Sequence, residues 1–204
     1  MGDLRDHWEG VYATKAETAV SWYQRHSTRS LAYVTAAAGL ASHIVDIGGG
    51  ASTLVDDLLE LGYANVTVLD ISETALAKAK ARLGDRASRV TWIAADITRW
   101  QPPRLYGVWH DRAVFHFLTK AEDQDAYIAA LRAGTERGAT VVMATFALDG
   151  PEKCSGLPVQ RYSPQTLAAR LGAPFVLTDE AQEIHATPWG TEQPFSYAVF
   201  RREP

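Results

Sequence analysis

Apolar and polar positions along this chain follow two rhythms in alternation. Short, continuous apolar runs are separated by stretches in which apolar residues recur at helical spacing. His43-Ile44-Val45-Asp46-Ile47 is such a run, ending at Gly48-Gly49-Gly50, and predicts a buried strand. Leu54, Val55, Leu58, Leu59 and Leu61 then follow a helical period closed by Gly62. Val66 to Asp70 predicts a second strand, and Ser72 is placed to cap a helix carrying Leu76, Ala79 and Leu83, with Glu73 in its first turn. Val90 to Ala94, Tyr106 to Asp111 and Ala139 to Phe146 predict three more strands, with a helix from Ala121 to Ala133 before the last of them. Ser163-Pro164 marks a helix start, and that helix runs to Leu171. Phe175 to Ile184 and Phe195 to Arg202 have no helix between them, only a loop with Pro188, Gly190 and Pro194, so they predict an antiparallel hairpin at a sheet edge. The first forty residues read as helical and polar-aromatic: Trp8, Tyr12 and Val20-Ser21-Trp22-Tyr23, then Leu31, Val34 and Ala38 before Gly39.

Strands alternating with helices predict an α/β fold: a seven-stranded mixed sheet, mostly parallel, with an antiparallel C-terminal hairpin and helices on both faces. Two long loops stand out, Gln101 to Leu105 and Ala147 to Tyr162, and the second is long enough to cover a site. No internal repeat or linker divides residues 1–204, so one domain is expected.

With 47% hydrophobic and 22% charged residues, the composition is that of a soluble globular protein. The formal charge of −4 argues against nucleic acid as the main partner, and Arg201-Arg202 is too small to be a basic patch. Cys154 is the one cysteine, so no intrachain disulfide and no cysteine-rich zinc site can form. No run approaches the ~18 apolar residues of a membrane helix. The polar N-terminus carries no secretory apolar segment, and Gly2 is followed at position 6 by Asp6 where acylation wants Ser or Thr. A cytoplasmic protein with no membrane, nucleic-acid or metal partner is expected.

The chemistry-bearing residues lie at strand ends. Asp46-x-Gly48-x-Gly50 joins the first strand to a helix, where glycines let the backbone turn tightly beside a ligand at the helix's positive end. A dinucleotide fingerprint would need a third glycine where Thr53 stands. Asp46, just before the glycines, suits a cationic group better than a pyrophosphate. Asp70 ends the second strand twenty residues after Gly50, a position suited to ribose hydroxyls. Asp96 follows the third strand, placed to accept from an adenine amino group, with Ile71 and Ile97 flanking the ring. Each acid has a plainer alternative as a local cap. Together, at three consecutive strand ends, they describe one ligand at the carboxyl edge of an open sheet.

This set resembles the class I S-adenosylmethionine-dependent methyltransferases. The resemblance rests on Val45-Asp46-Ile47-Gly48-Gly49-Gly50-Ala51-Ser52, on Leu69-Asp70-Ile71-Ser72, on Asp96-Ile97 and on Trp109-His110-Asp111-Arg112-Ala113-Val114-Phe115-His116-Phe117-Leu118. It covers about residues 43 to 146. Ser52 departs from the family, which often has a third glycine there. The opening, His7-Trp8-Glu9 with Tyr12 and Ser21-Trp22-Tyr23, more loosely resembles a branch that includes protein-lysine enzymes of the elongation-factor type. The resemblance implies a Rossmann-like fold and S-adenosyl-L-methionine as donor. It implies donor contacts from Trp22, Asp46, Gly48, Gly50, Asp70, Ile71, Asp96 and Ile97. Residues 1–42 would then form a helical lid and acceptor region, 43–146 the donor-binding core, and 147–204 an acceptor loop and hairpin.

Methyl transfer is an in-line displacement that needs alignment and exclusion of water, with a general base only where the nucleophile arrives protonated. Asp111 and His116 are the candidate catalytic residues, with ion pairing to Arg112 and core packing as their structural alternatives. Tyr162, His185 and Cys154 are further acceptor-side candidates, each with packing as the alternative. Trp22 and Tyr23 can face a sulfonium by the cation–π effect. Trp92, Trp100, Trp109 and Trp189 read as packing or rim residues. The expected activity is methyl transfer to a small-molecule acceptor. Transfer to a protein lysine is the alternative, and Asp179, Glu180 and Glu183 are candidate walls of an acidic channel for it. A nicotinamide-dependent oxidoreductase and a non-catalytic adenosyl-binding protein are the alternatives from other classes.

Overall fold

Each apolar run becomes a strand because packing elements cover both of its faces. In the structure, a computed structural model, residues 4–204 are described, and the Gly2 position lies outside them. The strands are β1 (Ile44–Ile47), β2 (Val66–Asp70), β3 (Val90–Ala94), β4 (Tyr106–Arg112), β5 (Thr135–Phe146), β6 (Lys153–Cys154), β7 (Leu157–Pro158), β8 (Phe175–Ala186) and β9 (Glu192–Arg202). The helices are α1 (Leu4–Thr14), α2 (Thr28–Ala37), α3 (Leu54–Glu60), α4 (Glu73–Leu83), α5 (Ala121–Gly134) and α6 (Pro164–Leu171).

The main sheet has the order β3-β2-β1-β4-β5-β9-β8. The first five strands run parallel, and β9 is antiparallel to both β5 and β8. This is the seven-stranded mixed sheet that the sequence predicts. On one face, Val45, Ile47, Leu69, Trp109, Val141 and Met143 pack against α5 and α6 through Tyr127, Ile128, Leu131, Leu167 and Leu171. On the other, Ile44, Val66, Val68 and Val108 meet Val34 of α2, Leu54 and Leu58 of α3 and Leu76 of α4. Strand order reverses at β1, whose neighbours are β2 and β4, so the switch point at the carboxyl end of β1 opens a crevice for a ligand.

The structure departs from the sequence reading at the C-terminal edge. The hairpin strands are longer than expected, leaving only residues 187–191 between them. Pro194 therefore lies inside β9. Its missing N–H breaks no ladder bond with β5, whose pairing with β9 stops at Phe146 and Phe195. His185 consequently sits in β8 rather than at the head of a loop. The long loop after β5 is not irregular throughout, because β6 and β7 pair as a small ribbon.

Helix α1 docks through one carboxylate. Glu9 accepts hydrogen bonds from the Ser72 hydroxyl (2.9 Å) and from the backbone N–H groups of Glu73 (2.6 Å) and Thr74 (3.1 Å), at the N-terminus of α4. Ser72 also caps α4 itself, accepting from the Ala75 N–H. Desolvation pushes the Glu9 carboxyl up, but the bonds from Thr74, Ser72 and Glu73 outweigh it and hold the group below its ordinary value. The contact is thus present above the ordinary carboxyl pKa and lost as pH falls through the lowered one. Among the described residues no helix is long and apolar enough to cross a membrane.

Glu9→Ala is expected to speed amide hydrogen exchange across residues 4–14 by about tenfold, the worth of one helix-terminal carboxylate contact. Exchange in β1 and β4 should be unchanged. Unaltered protection of α1 would show that its aromatic face alone holds it.

Candidate active site

The glycine turn after β1 is shaped by the acids beside it. Gly48 has φ +69° and the tip of Val114 against it, so a side chain there would be both strained and obstructed. A Cβ at Gly49 would fall 2.3 Å from Asp46 Oδ2, and one at Gly50 would fall 2.5 Å from Asp70 Oδ2. The Gly50 N–H instead donates to Asp70 Oδ2 at 2.9 Å, while Asp70 Oδ1 accepts the Ser72 N–H at 2.8 Å. Burial pushes Asp70 up to about 6, against the downward pull of the Ser72 and Gly50 bonds, and Asp46 and Glu9 push the same way as burial.

Asp46 is held from behind. Its Oδ1 pairs with His110 Nδ1 at 2.6 Å, and His110 Nε2 meets the Ser30 hydroxyl at 2.8 Å. Strand register sets this pair, since Asp46 lies opposite His110 across β1 and β4. Asp46 Oδ2 is buried with no hydrogen-bond partner among the described residues. Asp96, at the end of the next strand but one, uses Oδ1 to fix the turn through the N–H and hydroxyl of Thr98.

One cleft, partly open to solvent, runs along these strand ends. Ile71, Ala95, Asp96 and Ile97 line one end, with Asp70 and Gly48 in the middle. Trp8, Tyr12, Trp22 and Phe117 form an aromatic wall. Trp8 stands edge-on to Trp22 (5.6 Å between centroids) and to Phe117 (5.1 Å). Arg112, Phe146, Cys154, Gln193 and Phe195 close the far end. A smaller cavity holds Asp46, Gly49, Tyr23 and His110, and shares Trp22, Gly48 and Arg112 with the first.

Of the residues expected to hold a donor, Trp22, Asp46, Gly48, Asp70, Ile71, Asp96 and Ile97 line these two cavities. Gly50 lines neither, and its N–H is spent on Asp70.

The two expected catalytic residues are placed otherwise. Asp111 is fully buried and faces neither cavity. Its carboxylate accepts the N–H groups of Val114 (2.8 Å) and Phe115 (3.1 Å) and the Tyr127 hydroxyl (2.6 Å), which pins the turn after β4 to α5. Burial pushes it up to about 6, against the pull of Tyr127 and Val114. His116 is also fully buried, between Phe117 and Phe146. Burial, and then the nearby Arg112, push it down to about 3, too weak a base to take a proton near neutrality. Tyr162 packs on Phe115 in the core, and His185 binds the Ser21 carbonyl at 2.6 Å. Cys154 does line the cleft, but burial pushes its thiol up to about 11, so it stays protonated.

The acids near the hairpin do not join into a channel. Glu180 accepts from Gln165, while Glu183 turns inward between Arg112 and Arg29. Trp8, Tyr12, Phe117, Gln193 and Phe195 went unread as site residues, because nothing local marks an aromatic or amide as facing a cleft rather than a core. Arg112 was read only as a possible partner of Asp111. Among the described residues no cluster of His, Cys, Asp and Glu is arranged to hold a metal ion.

Residues 44–138 match the family profile described as a methyltransferase domain. A curated relative, the eEF1A lysine and N-terminal methyltransferase of Mus musculus, is 28% identical over 126 residues, 58% of this chain and 17% of that protein. The malonyl-[acyl-carrier protein] O-methyltransferase of Anoxybacillus flavithermus is 35% identical over 105 residues, 50% of this chain and 38% of that protein. The chain thus covers well under two thirds of the curated relatives it matches. Among solved structures, the N-methyltransferase NodS of Bradyrhizobium japonicum in complex with S-adenosyl-L-homocysteine superposes with a TM-score of 0.76, at 16% identity over 99% of this chain and 100% of that one. The fold is that of the class I S-adenosylmethionine-dependent methyltransferases. The likeness to the methyltransferase-domain profile spans residues 44–138, just under half of the chain.

Two outcomes follow from this geometry. Tyr127→Phe removes a bond to a buried carboxylate and is expected to cost about 1–3 kcal/mol in urea unfolding. S-adenosylhomocysteine affinity should stay within about twofold, and an affinity loss without a stability loss would return Asp111 to the site. Ribose hydroxyls need Asp70 ionised, and its pKa lies near 6. Affinity for S-adenosylhomocysteine is therefore expected to fall roughly tenfold from pH 7 to pH 5 as the carboxylate protonates. Asp70→Asn should bind weakly with a flat profile. A flat wild-type profile would contradict the ribose assignment.

Proposed function

We propose that this protein is an S-adenosylmethionine-dependent methyltransferase acting on a small-molecule acceptor in the cytoplasm. The observation that carries the reading is the single cleft joining the acid-lined strand ends to an aromatic end, with the orphaned Asp46 Oδ2 beside it. A buried, unpaired carboxylate oxygen next to a glycine turn fits an ammonium group. We assign the donor's ammonium to Asp46, its ribose to Asp70 and its adenine to Asp96, Ile71 and Ile97. Gly48 gives the backbone room for close approach, and Gly50 steadies Asp70. Trp22, with Trp8 and Tyr12, presents aromatic surface to a sulfonium.

When bound, S-adenosylmethionine supplies a sulfonium methyl for in-line transfer. The chain's own task is alignment and exclusion of water, which the wall of Trp8, Trp22, Phe117, Phe146 and Phe195 performs. Among the described residues at the far end, none is a carboxylate or an imidazole. Asp111 and His116 act through the fold, so the acceptor must arrive with its nucleophile already free of its proton or losing it to water.

A protein-lysine acceptor is the second reading, favoured by the likeness to the eEF1A lysine and N-terminal methyltransferase. The separated acids of β8 and the enclosed far end support the small molecule instead. The nicotinamide reading has no support: Thr53 stands at the third glycine position, and the matched family profile is that of a methyltransferase domain.

Calorimetry with S-adenosylhomocysteine and NAD in parallel tests the donor. Micromolar binding of the first and none of the second is expected, and Asp46→Ala should weaken the first at least tenfold. Binding of NAD, or of neither, would sink the proposal.

A further inference from the structure

The far end of the cleft holds a cation with unmet hydrogen bonds. Arg112, the last residue of β4, has a side chain only 9% exposed. Its Nη1 donates to the Trp22 carbonyl at 3.3 Å, and its guanidinium carbon stands 4.4 Å above the Phe195 ring. Neither Nε nor Nη2 has a hydrogen-bond partner among the described residues. Gln193 is also buried and lines the same end, and its Oε1 is unpartnered as well.

Arg112 shares its nearest carboxylate with a second cation. Its neighbouring carboxylate is Glu183, with Oε1 3.7 Å from Nη2. Glu183 is shared with Arg29 at 3.6 Å and already accepts a bond from Gln24 at 3.0 Å. Two guanidiniums therefore share Glu183: that of Arg29, 39% exposed to solvent, and that of Arg112, enclosed. His185 and Tyr197 also lie near Arg112. Burial and then Arg112 hold His185 below its ordinary value, while burial holds the Tyr197 hydroxyl above its own, so both are neutral near pH 7. Asp46 lines the neighbouring cavity that Arg112 also borders, and its Oδ1 is engaged with His110. A planar guanidinium whose Nε and Nη2 lack hydrogen bonds, in an apolar, aromatic enclosure, matches a carboxylate or another delocalised oxyanion.

We propose that the acceptor is a small apolar acid, its anionic group bound by Arg112 and its body packed against Phe146 and Phe195. This rests on the methyltransferase reading and names the acceptor class for the same cleft. The Gln193 amide takes a hydrogen-bond donor on the acceptor's edge. A lysine ammonium entering the same end would meet the Arg112 guanidinium, so the acceptor class also separates the small-molecule reading from the protein one. Arg112 also borders the cavity around Asp46, so the competing occupant is the donor's own carboxylate.

Three probes of nearly one shape test the proposal: benzoate, benzamide and benzylamine. Each is titrated by ligand-observed NMR into protein saturated with S-adenosylhomocysteine, whose own binding is first measured by calorimetry. Benzoate is expected to bind about tenfold more tightly than benzamide, and benzylamine not measurably. Arg112→Gln should bring benzoate down to the level of benzamide, and Arg112→Lys should keep part of the preference. Equal binding of the three probes, or an acid preference that survives in Arg112→Gln, overturns the proposal. So does an acid preference seen only without S-adenosylhomocysteine, which would assign Arg112 to the donor's carboxylate. The wild-type series needs no variant to fold. Failure of S-adenosylhomocysteine to bind at all is a separate result that strikes the donor reading.

Discussion

Asp46 and Asp70 press buried carboxylates against the backbone of one glycine turn, and the rest of the site is arranged around that crowding. No Cβ fits at Gly49 or Gly50 while these acids hold their places. Burying a carboxylate costs several kcal/mol unless hydrogen bonds and counter-charges offset it. Asp70 is met by two backbone N–H groups, and one side of Asp46 by His110. The remaining oxygen of Asp46 and the raised pKa of Asp70 are what is left uncompensated. An ammonium and a pair of hydroxyls are the groups that these two carboxylates are suited to accept.

Around that fixed centre the two ends of the cleft are built from different material. The end lined by Asp70 and Asp96 comes from strand ends of a parallel sheet, whose positions are set by ladder hydrogen bonds and by packing on both faces. The far end comes from α1, the turn after β4, the β6–β7 ribbon and the antiparallel β9. Two side-chain contacts tie these parts down: Glu9 reaches the N-terminus of α4, and Asp111 clamps the turn after β4 to Tyr127. Asp111 thus serves the site without touching it. The turn it pins carries Arg112 on one side and Phe117 on the other.

The strands were legible because a parallel sheet buried on both faces demands unbroken apolar runs, and the chain has them. The strand-end acids were legible because those runs fix where the strands stop. What the sequence hid depends on contacts between distant segments. The Asp46–His110 pair needs the β1–β4 register, and Glu9 meets Ser72 across more than sixty residues. Asp111 lies near the end of β4 and His116 just beyond it, and only packing against Tyr127, Phe117 and Phe146 shows that they are enclosed. His185 was misplaced because Pro194 reads as a strand breaker, yet it sits where β9 no longer needs an N–H for β5.

The central claim, that the strand-end acids hold an adenosyl donor, is tested most directly by a crystal structure of the protein with S-adenosylhomocysteine. The account expects the amino group within hydrogen-bond distance of Asp46 Oδ2, both ribose hydroxyls on Asp70, and the adenine between Ile71 and Ile97 with its amino group on Asp96. An adenosine lodged elsewhere, or an Asp46 still paired only with His110 while the ligand is bound, would contradict it.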